Sequence, residues 1–342
     1  MKNTAILFGG SCSESLVSCS SAQNFSTILP DAKCWYWQSD GSVLDVNPSD
    51  LRAHKDPFRT PFNPSSSNRR FQSVAESLDF AKDQKYTILV SLHGGDGENG
   101  LFQKECENRF LGFTASGSTA SALAMNKVKA KKRAKDRGLL TAEYLTFNAI
   151  KEQTKIDLNL FLKQFKRIVL KPVSEGSSTG LAFIESQSAL NDWISNNEAG
   201  RTDWLCEEML DGREVTIGVI MHNNCLLALP PSEVILEKNA RFDYAGKYLG
   251  VGNREVTPAE LSPREMGLAQ EAVLLAHSSL GCYGYTRSEV ILTSKGPVFL
   301  ETNTLPGFTN MSFIPQQLRA AKIGVEDFIQ CQLELARRRY EV

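Results

Sequence analysis

Four consecutive apolar residues, Ala5–Phe8, run directly into Gly9-Gly10-Ser11-Cys12-Ser13, and a helical pattern follows around Val17–Leu29. A short buried strand, a glycine turn and then a helix is how an α/β domain opens. The pattern recurs. Val74–Asp83 is predicted helical, Thr87–Leu92 is a second buried strand, and it ends in the glycine-rich loop His93-Gly94-Gly95-Asp96-Gly97-Glu98-Asn99-Gly100. The stretch Asp40–Arg70, rich in Pro, Ser and Asn, is expected to be irregular edge structure.

Further on, Ser118–Arg137 carries Ala, Leu, Lys and Met at helical spacing, and most of the lysines at 127, 129, 131 and 132 are expected to be solvated. Phe165–Lys171 and Leu181–Ile184 read as two strands of a hairpin with a long, glycine-bearing, mobile tip, and Trp204–Met209 and Val215–Met221 as strands flanking the Asp211-Gly212 turn. Ser262–Leu280 is predicted helical, and Val325–Arg339 closes the chain as an amphipathic helix with basic residues in its last turn. No repeat or low-complexity segment interrupts this order.

A chain of 342 residues is long for one domain, so two or three are expected. With 42% hydrophobic and 23% charged residues and a net charge of -1, it reads as an ordinary soluble globular protein, and nucleic acid is not a favoured partner. Eight scattered cysteines without a CxxC pair suggest free thiols in a reducing cytoplasm. Ala5–Phe8 is far short of a signal-peptide core, and no apolar run approaches the roughly 18 residues of a membrane span.

The chemistry concentrates near the C-terminus. Val290–Leu292 and Pro297–Leu300 are short apolar strands joined by the turn residues Thr293-Ser294-Lys295-Gly296. A turn centred on Lys295 sets Glu289 opposite Glu301, and Asn303, two residues on, shares the same facing. Carboxylates forced together repel unless a cation or proton lies between them, and hard oxygen ligands of this kind suit Mg²⁺ with substrate phosphates. An exposed hairpin with solvated acids is the plain alternative.

Gly95, Gly97 and Gly100 satisfy G-x-G-x-x-G after a strand, but no Asp or Glu occurs between Asn108 and Lys135 to hold a ribose, which argues against a dinucleotide site. The P-loop motif is absent. Lys171 with Gly176-Ser177-Ser178-Thr179-Gly180 offers a phosphate cradle, or a bland flexible hairpin. Glu207, Glu208 and Glu214 could meet a base and ribose hydroxyls or simply be exposed. His93, at a strand end among glycines, faces a cleft or serves the fold, and Cys12 has no defined base and reads as a passive small residue.

Taken together, Phe8–Glu14, His93–Gly100, Ala122–Lys127, Lys171–Ser178, Tyr244–Tyr248, Arg287–Glu289 and Glu301–Phe313 resemble the D-alanine:D-alanine ligases of the ATP-grasp superfamily, in the same order along essentially the whole chain. The resemblance implies an α/β, ATP-grasp fold of three α/β domains. These are an N-terminal, Rossmann-like substrate domain over 1–126, a central domain with a glycine-rich lid loop over 127–214, and a C-terminal domain with an omega loop and metal ligands over 215–342. The nucleotide lies between the last two.

The resemblance also implies roles. Glu14 receives the ammonium of the first D-alanine, and Ser312 the carboxylate of the second. Lys127, Lys171 and Lys247 meet ATP phosphates, Glu207 and Leu210 the adenine, and Glu214 the ribose. Glu289, Glu301 and Asn303 hold two Mg²⁺ or Mn²⁺ ions, a monovalent cation being an open question. Arg287 and the Gly307 N–H stabilise the oxyanion, His93 the acyl phosphate, and Ser177, Tyr248 and Glu14 form a hydrogen-bonded bridge that seals the site. Tyr248 favours D-alanine as second substrate over depsipeptide formation or other amino acids. Implied besides are a homodimer, a cytoplasmic setting and a contribution to peptidoglycan synthesis. Two positions depart from the family pattern, Glu289 where Asp is usual and Asn99 where the signature has an acid.

Overall fold

The computed structural model describes residues 3–12, 14–148, 150–176, 180–197, 203–236 and 253–340. The first sheet has the order β4-β3-β2-β1-β5, from β1 (Thr4–Gly9), β2 (Lys33–Trp37), β3 (Val43–Val46), β4 (Ser67–Phe71) and β5 (Thr87–Val90). Strand β1 is parallel to both neighbours, β2 and β5. Helix α1 (Ser15–Ile28) carries the chain from β1 to β2, whereas β5 joins on the opposite side after α2 (Pro48–Ala53) and α3 (Val74–Asp83). The carboxyl ends of β1 and β5 therefore bound the crevice where strand order reverses, the usual ligand position of an open α/β sheet. Gly9, at φ +99°, ends β1 where any Cβ would collide with the Trp37 carbonyl.

The stretch expected to be irregular contains two strands and a helix. Val43 and Val46 are fully buried, but β4 is Ser-Asn-Arg-Arg-Phe with only Phe71 buried, so apolar alternation gives no sign of it. Helix α2 begins where Asn47 accepts from Ser49 N with Pro48 at its first position.

After α4 (Gly95–Glu98) and α5 (Leu101–Asn108) the single helix expected over Ser118–Arg137 is two, α6 (Ser118–Met125) and α7 (Lys127–Asp136). The break is at Asn126, whose side chain caps Lys129 N at 3.0 Å. Residues 124–139 pack into the core of the third sheet with Val215, Val273 and Phe299.

The second sheet has a core of its own. Its order is β7-β10-β8-β9, from β7 (Tyr144–Phe147), β8 (Ile168–Pro172), β9 (Ala182–Ile184) and β10 (Trp204–Glu208). Helices α8 (Glu152–Phe165) and α9 (Gln187–Asn197) cover it, with Trp193 edge-on to Trp204 at 4.8 Å.

The third sheet runs β14-β13-β11-β15-β16-β6, with β12 paired to β11. Its strands are β6 (Leu140–Thr141), β11 (Arg213–His222), β12 (Cys225–Ala228), β13 (Ser232–Leu236), β14 (Asn253–Val256), β15 (Tyr285–Thr293) and β16 (Gly296–Asn303). Helix α10 (Pro263–Ser279), opened by a reciprocal Ser262–Glu265 capping box, packs on one face with α7. Helices α11 (Phe313–Ala320) and α12 (Val325–Arg338) return to the first sheet's core, where Phe308 stacks on Phe25 at 4.7 Å and on Phe328 at 5.7 Å. No helix among the described residues is long and apolar enough to cross a membrane.

Candidate active site

The hairpin of β15 and β16 turns on Ser294-Lys295, because Thr293 pairs with Gly296. That register, extended down the ladder, would set Glu289 against Leu300. Instead the ladder passes from Val290↔Phe299 to Glu289↔Glu301, so Leu300 has no partner and forms a bulge. The expected pairing of Glu289 with Glu301 thus exists, through a bulge rather than a turn centred on Lys295. Arg287 pairs with Asn303 in the same register, so Arg287, Glu289, Glu301 and Asn303 share one face. On the other face the buried Ser288 and Thr302 hydroxyls lie 2.7 Å apart.

Each carboxylate on this face has a cation beside it. Arg287 Nη2 donates to Glu289 Oε1 at 2.8 Å, and Lys127 Nζ lies 3.5 Å from Glu301 Oε2. The Arg287 Nε is buried and meets no acceptor among the described residues. A buried guanidinium with an unused N–H beside a cavity is placed to receive an oxygen that the protein itself does not supply.

Glu14 stands at the start of α1. A Cβ on Gly94, which has φ +61°, would lie 3.1 Å from its Cδ, and one on Gly176 would lie 3.0 Å from its Oε1. The carboxylate therefore sits between two glycines, one from the first sheet's loop and one from the hairpin that follows β8.

His93 is buried, and its tautomer follows from its partners. Nδ1 is 2.7 Å from the Leu305 carbonyl, which can only accept, so Nδ1 carries the proton. Nε2, 2.8 Å from Ser21 Oγ, then accepts from that hydroxyl, which in turn accepts from Phe308 N. Burial lowers the imidazole's pKa and outweighs Glu14 and the Leu305 bond, which raise it; Arg287 lowers it further. A neutral His93 with both nitrogens engaged holds the segment 305–308 against α1.

Glu98, inside a noted motif but not singled out as a site residue, performs a related task. Its Oε1 accepts from Thr304 N at 2.9 Å and Leu305 N at 3.0 Å, and its Oε2 from Gly94 N at 3.0 Å. Burial, aided by Glu14, pushes its pKa up to about 7 against these three backbone donors. Asn99 Oδ1 accepts from Leu101 N at 2.9 Å and does not line the cavity, so this departure from the family pattern falls on a local turn.

On β10, Glu207 is clamped between two lysines. Lys131 Nζ lies 2.6 Å from Glu207 Oε1, and Lys171 Nζ pairs with Oε2. Lys131 is fully buried, contrary to the solvated surface expected for this stretch, whereas Lys129 and Lys132 are exposed. Its place four residues after Lys127, one turn along the inner face of α7, is the signal that could have found it. Burial would raise the Glu207 pKa, but the two ammonium groups hold it at about 2.

One cavity gathers Glu14, His93, Lys127, Arg287, Glu301, Asn303, Gly307 and Ser312 from all three layers, with Glu98, Phe58 and Glu255 in its wall. Glu289 adjoins it through Arg287. Lys171 and Glu207 do not line it; Leu210 is half-buried beyond β10 and Glu214 is exposed on β11. Ser177, Lys247 and Tyr248 lie outside the described residues. Lys127 Nζ also donates to the Glu175 carbonyl at 2.5 Å, tying α7 to the loop that precedes Ser177. Among the described residues no group of three or more His, Cys, Asp or Glu forms a metal cluster. The set at Glu289, Glu301 and Asn303 is two facing carboxylates and an amide oxygen, the hard donors that suit Mg²⁺ completed by phosphate and water.

Residues 134–334 match the family model described as D-ala D-ala ligase C-terminus. A D-alanine–D-alanine ligase of Leptospira interrogans is 32% identical over 356 aligned residues, covering 99% of both chains. One from Syntrophobacter fumaroxidans is 34% identical, covering 80% of this chain and 86% of its own. Among solved structures, the VanG D-Ala:D-Ser ligase of Enterococcus faecalis superposes with a TM-score of 0.80 at 24% identity, covering 98% of this chain and 99% of its own. The D-alanine-D-alanine ligase of Coxiella burnetii gives 0.79 at 21%, covering 99% and 94%. At such identities the likeness concerns the fold, which is the ATP-grasp α/β fold.

Proposed function

The chain belongs to the D-alanine–D-alanine ligase family, and from that premise we propose that its cavity joins two D-alanines at the expense of ATP, for peptidoglycan precursor synthesis. The observation that carries this reading is the convergence of Glu14, Lys127, Arg287 and Ser312, each from a different part of the chain, on one cavity.

The first D-alanine binds with its ammonium at Glu14. Its carboxylate is a poor acyl donor until phosphorylated, so the γ-phosphate of ATP is transferred to it, giving an acyl phosphate and ADP. Lys127 and Lys171 hold the phosphates, Glu207 and Leu210 face the base, and Glu214 the ribose. Glu289, Glu301 and Asn303 would hold Mg²⁺ or Mn²⁺, two ions in all, and the metal supplies charge neutralisation on the phosphates. The amine of the second D-alanine, held through its carboxylate at Ser312, forms the new C–N bond. Arg287, whose Nε meets no acceptor among the described residues, and the Gly307 N–H stabilise the tetrahedral oxyanion, at about 3–4 kcal/mol per donor. The carbon–oxygen bond to phosphate then breaks, and of the two protons the amino group has lost, one leaves on phosphate and one passes to solvent.

His93 acts by position: its two nitrogens orient the loop that presents Gly307. Ser177, Tyr248 and Lys247 complete the closed site in this reading, and a cytoplasmic homodimer is part of it.

The test is phosphate release with ATP and Mg²⁺ across D-alanine, D-serine, D-lactate and L-alanine, with the product identified by mass. D-alanyl-D-alanine as main product is expected. Turnover only with another acceptor would replace the substrate assignment.

A further inference from the structure

The assignments above give the first D-alanine a partner for its ammonium, Glu14, and the second a partner for its carboxylate, Ser312. The ammonium of the second is left without one. The same cavity wall carries a carboxylate with no assigned role, Glu255, on β14.

Glu255 is held by neutral groups. Its Oε2 accepts from Gln316 Nε2 at 2.6 Å. That amide is fixed at both ends, since Nε2 also donates to the Met311 carbonyl at 2.7 Å and Oε1 accepts from Thr257 Oγ1 at 3.1 Å. Thr257 is in turn 2.6 Å from Ser232 Oγ. Among the described residues no lysine or arginine closes an ion pair on Glu255, although Arg287 is near enough to lower its pKa. Burial raises that pKa, the Gln316 bond opposing. Gln316 lies in the first turn of α11, its N–H bonded to the carbonyl of the N-cap residue Ser312, so the Glu255 carboxylate is brought within about one turn of Ser312. A half-buried carboxylate that only a neutral amide holds is costly unless a cation completes it.

We infer that Glu255 receives the second amino acid as its ammonium, before a proton leaves it and the free amine attacks, so that Ser312 and Glu255 together read both charges of an incoming α-amino acid and discriminate against the α-hydroxy acid of the same skeleton. This rests on the ligase reading. It makes Glu255 a specificity-determining residue, and it supplies what the motifs do not: a reason for the site to prefer an amine acceptor from within its described wall.

The experiment uses the full chain with saturating ATP and Mg²⁺, first with D-alanine alone and then with D-alanine and D-lactate in competition, products counted by mass. Glu255→Gln keeps the shape and the bond from Gln316 but removes the charge, and Glu255→Asp restores it. In E255Q the KM for the second D-alanine should rise about tenfold or more, with the constants for the first D-alanine and ATP within about twofold. The depsipeptide share should rise at least about tenfold, and E255D should recover part of both effects. An unchanged acceptor KM and product ratio would overturn the inference. So would a uniform change in all constants or an early melt, the marks of a group that serves only the fold. Failure of the unaltered chain to ligate D-alanine would instead overturn the ligase reading.

Discussion

Glu289 faces Glu301 across the hairpin because Leu300 is bulged out of the ladder between them. Two carboxylates on one face, with Arg287 2.8 Å from Glu289 and Lys127 3.5 Å from Glu301, are the hard oxygen donors that suit Mg²⁺. Glu301→Gln should therefore leave the melting temperature of the bare protein close to the parent's. It should abolish most of the extra stabilisation that Mg²⁺ adds in the presence of ADP, which thermal melts with and without the ion would read. An undiminished Mg²⁺ effect would remove Glu301 from the ligand set.

Glu207 lies between the Lys131 and Lys171 ammonium groups and is the main counter-charge of both, so its loss leaves each with only weaker partners such as Glu301. Glu207→Ala should cost about 3–5 kcal/mol in urea unfolding, more than the same change at the exposed Glu214. Because its folded pKa, about 2, lies below that of the unfolded chain, the stability it contributes is present above the unfolded value and is lost as pH falls towards 2.

Glu98 behaves in the opposite sense. Its folded pKa of about 7 exceeds the unfolded value of about 4.3, so the folded state binds the proton more tightly. The contribution is fully present below the unfolded pKa and declines as pH rises through 7. The stability difference between the parent and Glu98→Gln should move against the parent between pH 5 and pH 8, on the order of 1–3 kcal/mol. A difference independent of pH would show that Glu98 does not titrate in this window.

Phe308 anchors the loop that carries Gly307, stacking on Phe25 while its backbone bonds to Ser21 and Asn24. Phe308→Ala should cost about 3–5 kcal/mol of stability. It should also lower kcat more than it raises the KM for ATP, because the role proposed for the Gly307 N–H is at the oxyanion and not at the nucleotide. Steady-state kinetics on the folded fraction separates the two.

Local pattern carried much of this architecture. Val74–Asp83 was legible to the residue from its helical spacing, and the first strand from the apolar run Ala5–Phe8, which the structure extends by one residue at each end. The acidic pair on the hairpin was legible from spacing, although the bulge at Leu300 that produces it was not, since an unpaired residue leaves no mark on composition. Strand β4 was hidden because Ser67, Asn68, Arg69 and Arg70 are exposed at a sheet edge, where no burial demands alternation. Lys131 read as a surface charge because its partner Glu207 is remote in the chain. Glu98 and Glu255 owe their roles to Thr304, Leu305 and Gln316, far along the chain, and such long-range pairing has no local signature.

The most direct test is the turnover of Arg287→Ala, measured as phosphate release with dipeptide identified by mass. With the proposed oxyanion donor gone, kcat should fall at least about a hundredfold while the KM for ATP changes little. Turnover near that of the parent would contradict the assignment of this cavity to acyl transfer.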